Sequence, residues 1–164
     1  MKTIRPATVA DIHFIRKIAA DTWPVAYGSI LSREQLDYML EKMYSVQSLE
    51  AQMQEGHHFY IAQLNDELAG FAAFSSIEGD IYKLQKLYVL PTIQKTGLGL
   101  ELLKTVEAAA RNMGCTRLQL NVNRNNNAKS FYEKNSFTVI REEDIDIGSG
   151  YFMNDFIMEK LLQK

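Results

Sequence analysis

The chain has 164 residues, 46% of them apolar and 23% charged, with a net charge of −2, 9 Gly, 3 Pro and one cysteine. Such a balance excludes a disordered, collagenous or low-complexity chain, and the lone Cys115 excludes an internal disulfide framework or a multi-cysteine zinc site. The charge is unevenly spread: residues 81–134 carry nine Lys/Arg against three acids, a net of +6, which leaves −8 on the remainder and suits an anionic ligand on one part of the surface.

No stretch is long and apolar enough for a membrane span, and the first residues lack the apolar core of a signal peptide. With no basic-aromatic module, nucleic acid is not an expected partner. The expectation is therefore a cytoplasmic protein with one domain over residues 1–164, bound to neither membrane nor metal.

In chain order, Lys2–Pro6 reads as a first strand. Thr8 and Asp11 form a capping box, and Ile12, Ile15, Ile18 and Ala19 give the buried stripe of a helix that Pro24 should stop near Trp23. Ser32 and Gln35 form a second capping box, opening a helix through Leu36, Met39, Leu40 and Met43, and a third helix covers 46–55 up to Gly56. Strands at 59–64 and 68–76 flank an Asn65–Asp66 turn as a hairpin, and a longer strand from Ile81 ends at Pro91. Leu98, Leu102, Val106, Ala110 and Met113 mark the apolar face of a helix closed by Gly114, on which Glu107 and Arg111 stand at ion-pair spacing. A strand through Leu118, Leu120 and Val122, a short helix around Phe131 and Tyr132, and strands from Phe137 and Tyr151 complete an α+β chain with a mixed sheet. Cys115 reads as a small buried apolar residue.

The chemistry concentrates where the long strand meets its helix, in Leu87-Tyr88-Val89-Leu90-Pro91-Thr92-Ile93-Gln94-Lys95-Thr96-Gly97-Leu98-Gly99-Leu100. Helix N-termini hold unpaired amides and a partial positive charge, and glycine lets a ligand approach that backbone closely. The product is an anion site suited to a pyrophosphate, with Gln94 and Lys95 beside it. The third glycine of a dinucleotide fingerprint and the Lys-Ser/Thr of a phosphate-binding P-loop are both absent. Among the basic residues, Lys95 and Arg124 are the loop cations most readily turned towards an anion.

Gln94-x-x-Gly97-x-Gly99 after Leu87-Tyr88-Val89-x-Pro91 resembles motif A of the GNAT N-acetyltransferases, and Asn125-x-x-Ala128-x-x-x-Tyr132-x-x-x-Ser136-Phe137 is similar to a second family motif that carries glycine where Ser136 stands. The resemblance implies a central, mostly antiparallel sheet between helix layers, splayed between its fourth and fifth strands. It implies acetyl-CoA as cofactor: Gln94, Lys95, Thr96, Gly97, Leu98, Gly99 and Leu100 around the pyrophosphate, Leu87, Tyr88 and Val89 as the backbone edge along the pantetheine, and Asn125 and Ala128 beside that arm. Direct attack of an amine on the thioester follows, with a backbone amide near Leu87–Val89 stabilising the oxyanion and Tyr132 protonating the leaving thiolate.

The family often places a carboxylate base on the strand before motif A. Here that strand, Ile81 to Leu87, holds none; Glu78, Asp80, His57 and His58 lie near it, and the base stays unassigned. Within the family the chain looks most like bacterial spermidine/spermine N-acetyltransferases, through Asp21-Thr22-Trp23, the pattern of Ser32, Leu36, Tyr38 and Leu40, and the tail Tyr151-Phe152-Met153-x-Asp155-x-Ile157-Met158. Glu142, Glu143, Asp144 and Asp146 would attract a polyamine, or serve as the acidic edge that keeps a strand from pairing with strangers. A small amine is thus the expected partner. A protein N-terminus or lysine as acceptor, and a non-catalytic acyl-CoA sensor, are the alternatives. Relatives are often dimers, so a homodimer fits the resemblance; Trp23, Tyr151 and Phe152 would then serve an interface, against the commoner role of core.

Overall fold

The computed structural model describes residues 1–162. It contains seven strands and five α-helices: β1 (Lys2–Pro6), α1 (Ile12–Tyr27), α2 (Arg33–Tyr44), α3 (Val46–Gln54), β2 (His58–Leu64), β3 (Glu67–Glu78), β4 (Ile81–Val89), α4 (Leu98–Asn112), β5 (Arg117–Asn123), α5 (Ala128–Lys134), β6 (Thr138–Gly148) and β7 (Tyr151–Leu161). The strands form one sheet in the order β1-β2-β3-β4-β5-β7-β6, antiparallel at every pairing except β4 with β5.

Side chains alternate across the sheet and feed two separate cores. Phe59, Ile61, Phe71 and Ala73 face α1, α2 and α3, while Ala62, Ala72, Phe74 and Leu84 face α4 and α5. The result is three layers, helix on sheet on helix, as the resemblance implied.

Local signals explain most helix starts. Thr8 Oγ1 accepts from Ala10 N–H at 3.3 Å while the Asp11 carboxylate accepts from Thr8 N–H at 2.9 Å, so the capping box forms, around a 3-10 turn that leads into α1. Ser32 accepts from Gln35 N–H at 3.1 Å, but the second box does not close: the Gln35 amide reaches across to Phe152 O at 3.0 Å and ties α2 to β7.

Two expectations are corrected. Pro24 does not end α1, which runs on to Tyr27 although Pro24 has no N–H for the carbonyl of Ala20. Trp23 and Tyr27 are both buried and their rings pack at 4.8 Å, so the last turn is held by core contacts. On α4, Glu107 does not pair with Arg111; its carboxylate takes two hydrogen bonds from Lys160 on β7, at 2.9 and 3.1 Å. A partly buried pairing to another element outcompetes a solvated pairing along the same helix.

Cys115 is buried, as expected. Trp23 belongs to the core, whereas Phe152 is half exposed and Tyr151 packs at a tilt against Tyr38, ring centroids 5.3 Å apart. No helix among the described residues is long and apolar enough to cross a membrane.

Candidate active site

The parallel pairing of β4 with β5 is short. It runs from Ile81↔Arg117 to Leu84↔Leu120 and stops. On its other side β4 continues against β3 through Lys86↔Ala73, Leu87↔Ala72, Tyr88↔Phe71 and Val89↔Gly70, so Lys86–Val89 present one paired edge and one open edge.

A cavity of about 60 Å³ fills the opening, lined by residues 84–88 of β4, residues 120–122 of β5, and Tyr27, Asn126, Ala128 and Tyr132. Tyr27 comes from the α1–α3 layer and Tyr132 from the α4–α5 layer, so the opening passes through the sheet. Two roomier clefts, of about 460 and 520 Å³, lie around Thr8 and His57 and around Phe14 and Leu68; neither touches Tyr132 or the glycine loop.

At the end of the open edge, Gln94 Nε2 donates to Val89 O at 3.3 Å and Thr96 Oγ1 to Ile93 O at 2.8 Å, which folds residues 90–96 into a compact turn. Lys95 and Gly97 both adopt the left-handed conformation, with φ of +71° and +85°. Gly97 caps α4 without a side chain, and Glu101 is the first amide of the helix to find a carbonyl, Gly97 O at 3.1 Å. Among the described residues the amides of Leu98, Gly99 and Leu100 meet no protein acceptor. A Cβ on Gly99 would come no nearer than 3.8 Å to Val89 Cγ2, which leaves its outer side clear.

A cation that sequence reading did not single out joins this group. Lys2 Nζ lies 3.3 Å from where a Gly97 Cβ would stand and 3.5 Å from the Glu101 carboxylate. Nothing local signals this; it follows from β1 lying at the sheet edge under the start of α4. Arg124, by contrast, is turned to acids of β6, with Asp144 at 2.8 Å and Glu142 at 3.8 Å, rather than towards an anion site.

On α5, Tyr132 is buried and its hydroxyl has no hydrogen-bond partner among the described residues. Burial raises its pKa, with the nearby Tyr27 adding to the effect, so the phenol holds its proton. Ala128 lines the opening directly. Asn125 is exposed, its amide donating to Asn123 Oδ1 at 3.0 Å, and it is Asn126 that reaches the opening.

The face of β4 towards α1–α3 carries two lysines. Lys86 is buried, donates to Gln52 Oε1 at 2.6 Å, and lies 5.4 and 5.6 Å over the rings of Tyr44 and Phe59. Burial, aided by Lys83, pulls its pKa down to about 8. The acids and histidines considered from sequence lie elsewhere: Glu78 and Asp80 are exposed at the β3–β4 turn, the end of β4 far from the opening, and neither His57 nor His58 lines it.

Residues 29–152 match the family model of the acetyltransferase (GNAT) domain. The chain belongs to the GNAT acetyltransferases. It is 30% identical over 163 residues to a spermidine N(1)-acetyltransferase from Thermoplasma acidophilum, covering 96% of this chain and 95% of that one. It superimposes on the crystal structure of the PaiA N-acetyltransferase of Thermoplasma acidophilum in complex with coenzyme A with a TM-score of 0.83 at 29% identity, over 98% of this chain and 99% of the other. The ribosomal-protein-S18-alanine N-acetyltransferase of Escherichia coli shares the fold, with a TM-score of 0.76 at 20% identity over 100% of this chain and 96% of that chain. This GNAT protein is thus an N-acetyltransferase, and acetyl-CoA is its acetyl donor. The residue pattern suits that donor: free amides and glycines at the start of α4 for a diphosphate, and an open strand edge for an amide-bearing arm.

Proposed function

We propose that this GNAT protein transfers an acetyl group to a primary amine of a polyamine such as spermidine or spermine. The acetyl transfer rests on the opening between β4 and β5, lined by Tyr132 and lying beside the glycine-led start of α4; the acceptor class rests on the likeness to a spermidine N(1)-acetyltransferase and on the acids of β6. Acetyl-CoA supplies an acyl group already activated as a thioester.

The chain's own residues do the rest. The amides of Leu98, Gly99 and Leu100, with Gln94, Lys95, Thr96 and Gly97 around them and Lys2 alongside, hold the diphosphate by backbone hydrogen bonds and the partial positive charge of the helix end. The open edge at Leu87, Tyr88 and Val89 orients the pantetheine as an added strand would be oriented, with Ala128 and the Asn125–Asn126 turn closing the other side. A backbone amide of that same edge would serve as the donor to the oxyanion. Tyr132, protonated and unpartnered, gives a proton to the departing sulfur and recovers one from solvent.

Glu142, Glu143, Asp144 and Asp146 lie on edge strand β6, four acids against the two cations paired with them, Arg124 (with Glu142 and Asp144) and Arg141 (with Glu143), so the strand keeps a negative excess; α2 closes over the β6–β7 turn through Tyr38 Oη to Ile147 O at 2.9 Å. Lys83 and Lys86 make the β4 wall repellent to a polycation, so a polyamine would approach along β6 and β7. The 30% identity to a spermidine N(1)-acetyltransferase supports the same acceptor class.

A thiol-release assay across spermidine, spermine, amino acids, aminoglycosides and peptides tests it. Turnover of a polyamine at a kcat/KM above the other amines is expected. Turnover of another amine with none of any polyamine would overturn the acceptor while leaving the acetyl transfer standing.

A further inference from the structure

We propose that Asp155 is the general base of the reaction: its unbonded carboxylate oxygen takes the proton that the acceptor ammonium must lose before its nitrogen can attack. Asp155 lies on β7, opposite Asn123 of β5 on one side and Glu143 of β6 on the other. It shares a sheet face with Asn121, a residue of the opening, which donates to Asp155 Oδ2 at 3.4 Å. The side chain is buried, at 4% exposure, and Oδ1 meets no hydrogen-bond donor. An unbonded buried carboxylate oxygen is costly, and a donor arriving with the substrate would satisfy it. Among the described residues no other carboxylate combines burial, an empty acceptor position and a neighbour in the opening.

The charges around it support the role. Lys83 of β4 and Arg124 after β5 favour its ionised form, Glu143 of β6 disfavours it, and Tyr27 of α1 faces it as a neutral phenol. Burial outweighs the two cations and raises the pKa from its ordinary carboxylate value, which strengthens the carboxylate as a base. Arg124 is already neutralised by Asp144 and Glu142, which limits its pull.

The proton count closes. An ammonium acceptor loses one proton to Asp155, and its freed electron pair forms the new C–N bond at the thioester carbon. The C–S bond breaks with its electrons on sulfur, the sulfur takes a proton from Tyr132, and the nitrogen sheds its remaining extra proton to solvent. An N-acetyl amide, a thiol and one released proton result, and Asp155 returns to carboxylate by giving its proton to water.

This inference rests on acetyl transfer to an amine and not on the acceptor being a polyamine, so the test uses whichever amine the assay above selects. Three measurements on Asp155→Asn and Asp155→Glu against the parent decide it. Calorimetry with coenzyme A should give unchanged affinity in both, showing that fold and donor site survive. Carboxyl carbon NMR of the ligand-free protein should show an aspartate titrating above the ordinary range that is missing from Asp155→Asn. At neutral pH, kcat should fall about 100-fold or more in Asp155→Asn; its rate should climb with pH as the amine deprotonates unaided, while the parent levels off and Asp155→Glu recovers part of the loss. An Asp155 that titrates at or below the ordinary range, or an Asp155→Asn enzyme within threefold of the parent with the same pH profile, would overturn the assignment. Either result is read independently of which amine is acetylated.

Discussion

The hydroxyl of Tyr27, in the last turn of α1, meets the hydroxyl of Tyr88, on the open half of β4, at 3.1 Å. Trp23 packs beside both rings, 4.8 Å from Tyr27 and 5.9 Å from Tyr88. The turn of helix beyond Pro24 thus exists in order to meet the strand at the point where it leaves its parallel neighbour. Removing one hydroxyl strands the other in a buried site, at about 1 kcal/mol. Urea unfolding should therefore show Tyr27→Phe and Tyr88→Phe each destabilised by about that much, and the double variant less destabilised than the sum of the two.

Tyr132→Phe keeps the ring that packs against Phe131 and Phe137, at 5.2 and 5.6 Å, and removes only the hydroxyl at the opening. Its melting temperature and coenzyme A affinity should match the parent, while acetyl transfer slows about 100-fold. Undiminished turnover would take Tyr132 out of the reaction.

The two glycines of the loop should fail differently. Gly99 is helical in a site with room for a methyl group, so Gly99→Ala should fold and bind; Gly99→Val should fold but lose at least tenfold in coenzyme A affinity, about 1.4 kcal/mol, because its branched side chain crowds the free amides. Gly97 has a φ of +85°, so Gly97→Ala should lose about 1 kcal/mol of stability before any ligand is added. Calorimetry and urea unfolding together separate the two effects.

Lys86 titrates lower in the folded chain, at about 8, than in the unfolded chain, near 10.4. Below pH 8 the unfolded lysine is bound to its proton more favourably than the buried one, so the charge opposes folding; the penalty shrinks as pH rises towards 10.4. Lys86→Met, of similar length, should thus stabilise the protein at pH 7 by up to about 3 kcal/mol, and the gain should fade above pH 10 in a series of unfolding curves.

Ser136 stands where the family motif carries glycine, and its φ is +73°. The turn after α5 needs that conformation, since Phe137 N–H returns to Tyr132 O at 3.1 Å. Ser136→Gly should raise stability by about 1 kcal/mol without touching catalysis, measurable as a higher urea midpoint.

What sequence revealed and what it hid follow the range of the forces involved. The Thr8–Asp11 cap, the strand–loop–helix around Gln94–Gly99 and the alternation of the strands are decided within a few residues, and all of them stand. The extension of α1 past Pro24 depends on Tyr88, the loss of the Glu107–Arg111 pair depends on Lys160, and Lys2 reaches Gly97 because β1 lies at the sheet edge. Asp155 was hidden for the same reason. The last strand inserts between β5 and β6, and only that insertion brings its carboxylate beside Asn121. No local pattern announces a neighbour 34 residues away in sequence.

Ending the β4–β5 ladder at Leu84 and Leu120 has a dynamic consequence. Amides from Gln85 to Val89 that point towards β5 should exchange with deuterium far faster than those bonded to β3, although both lie in the middle of the molecule. Coenzyme A should slow that exchange and lift the melting temperature together, because the donor completes the interior of the very enzyme that consumes it.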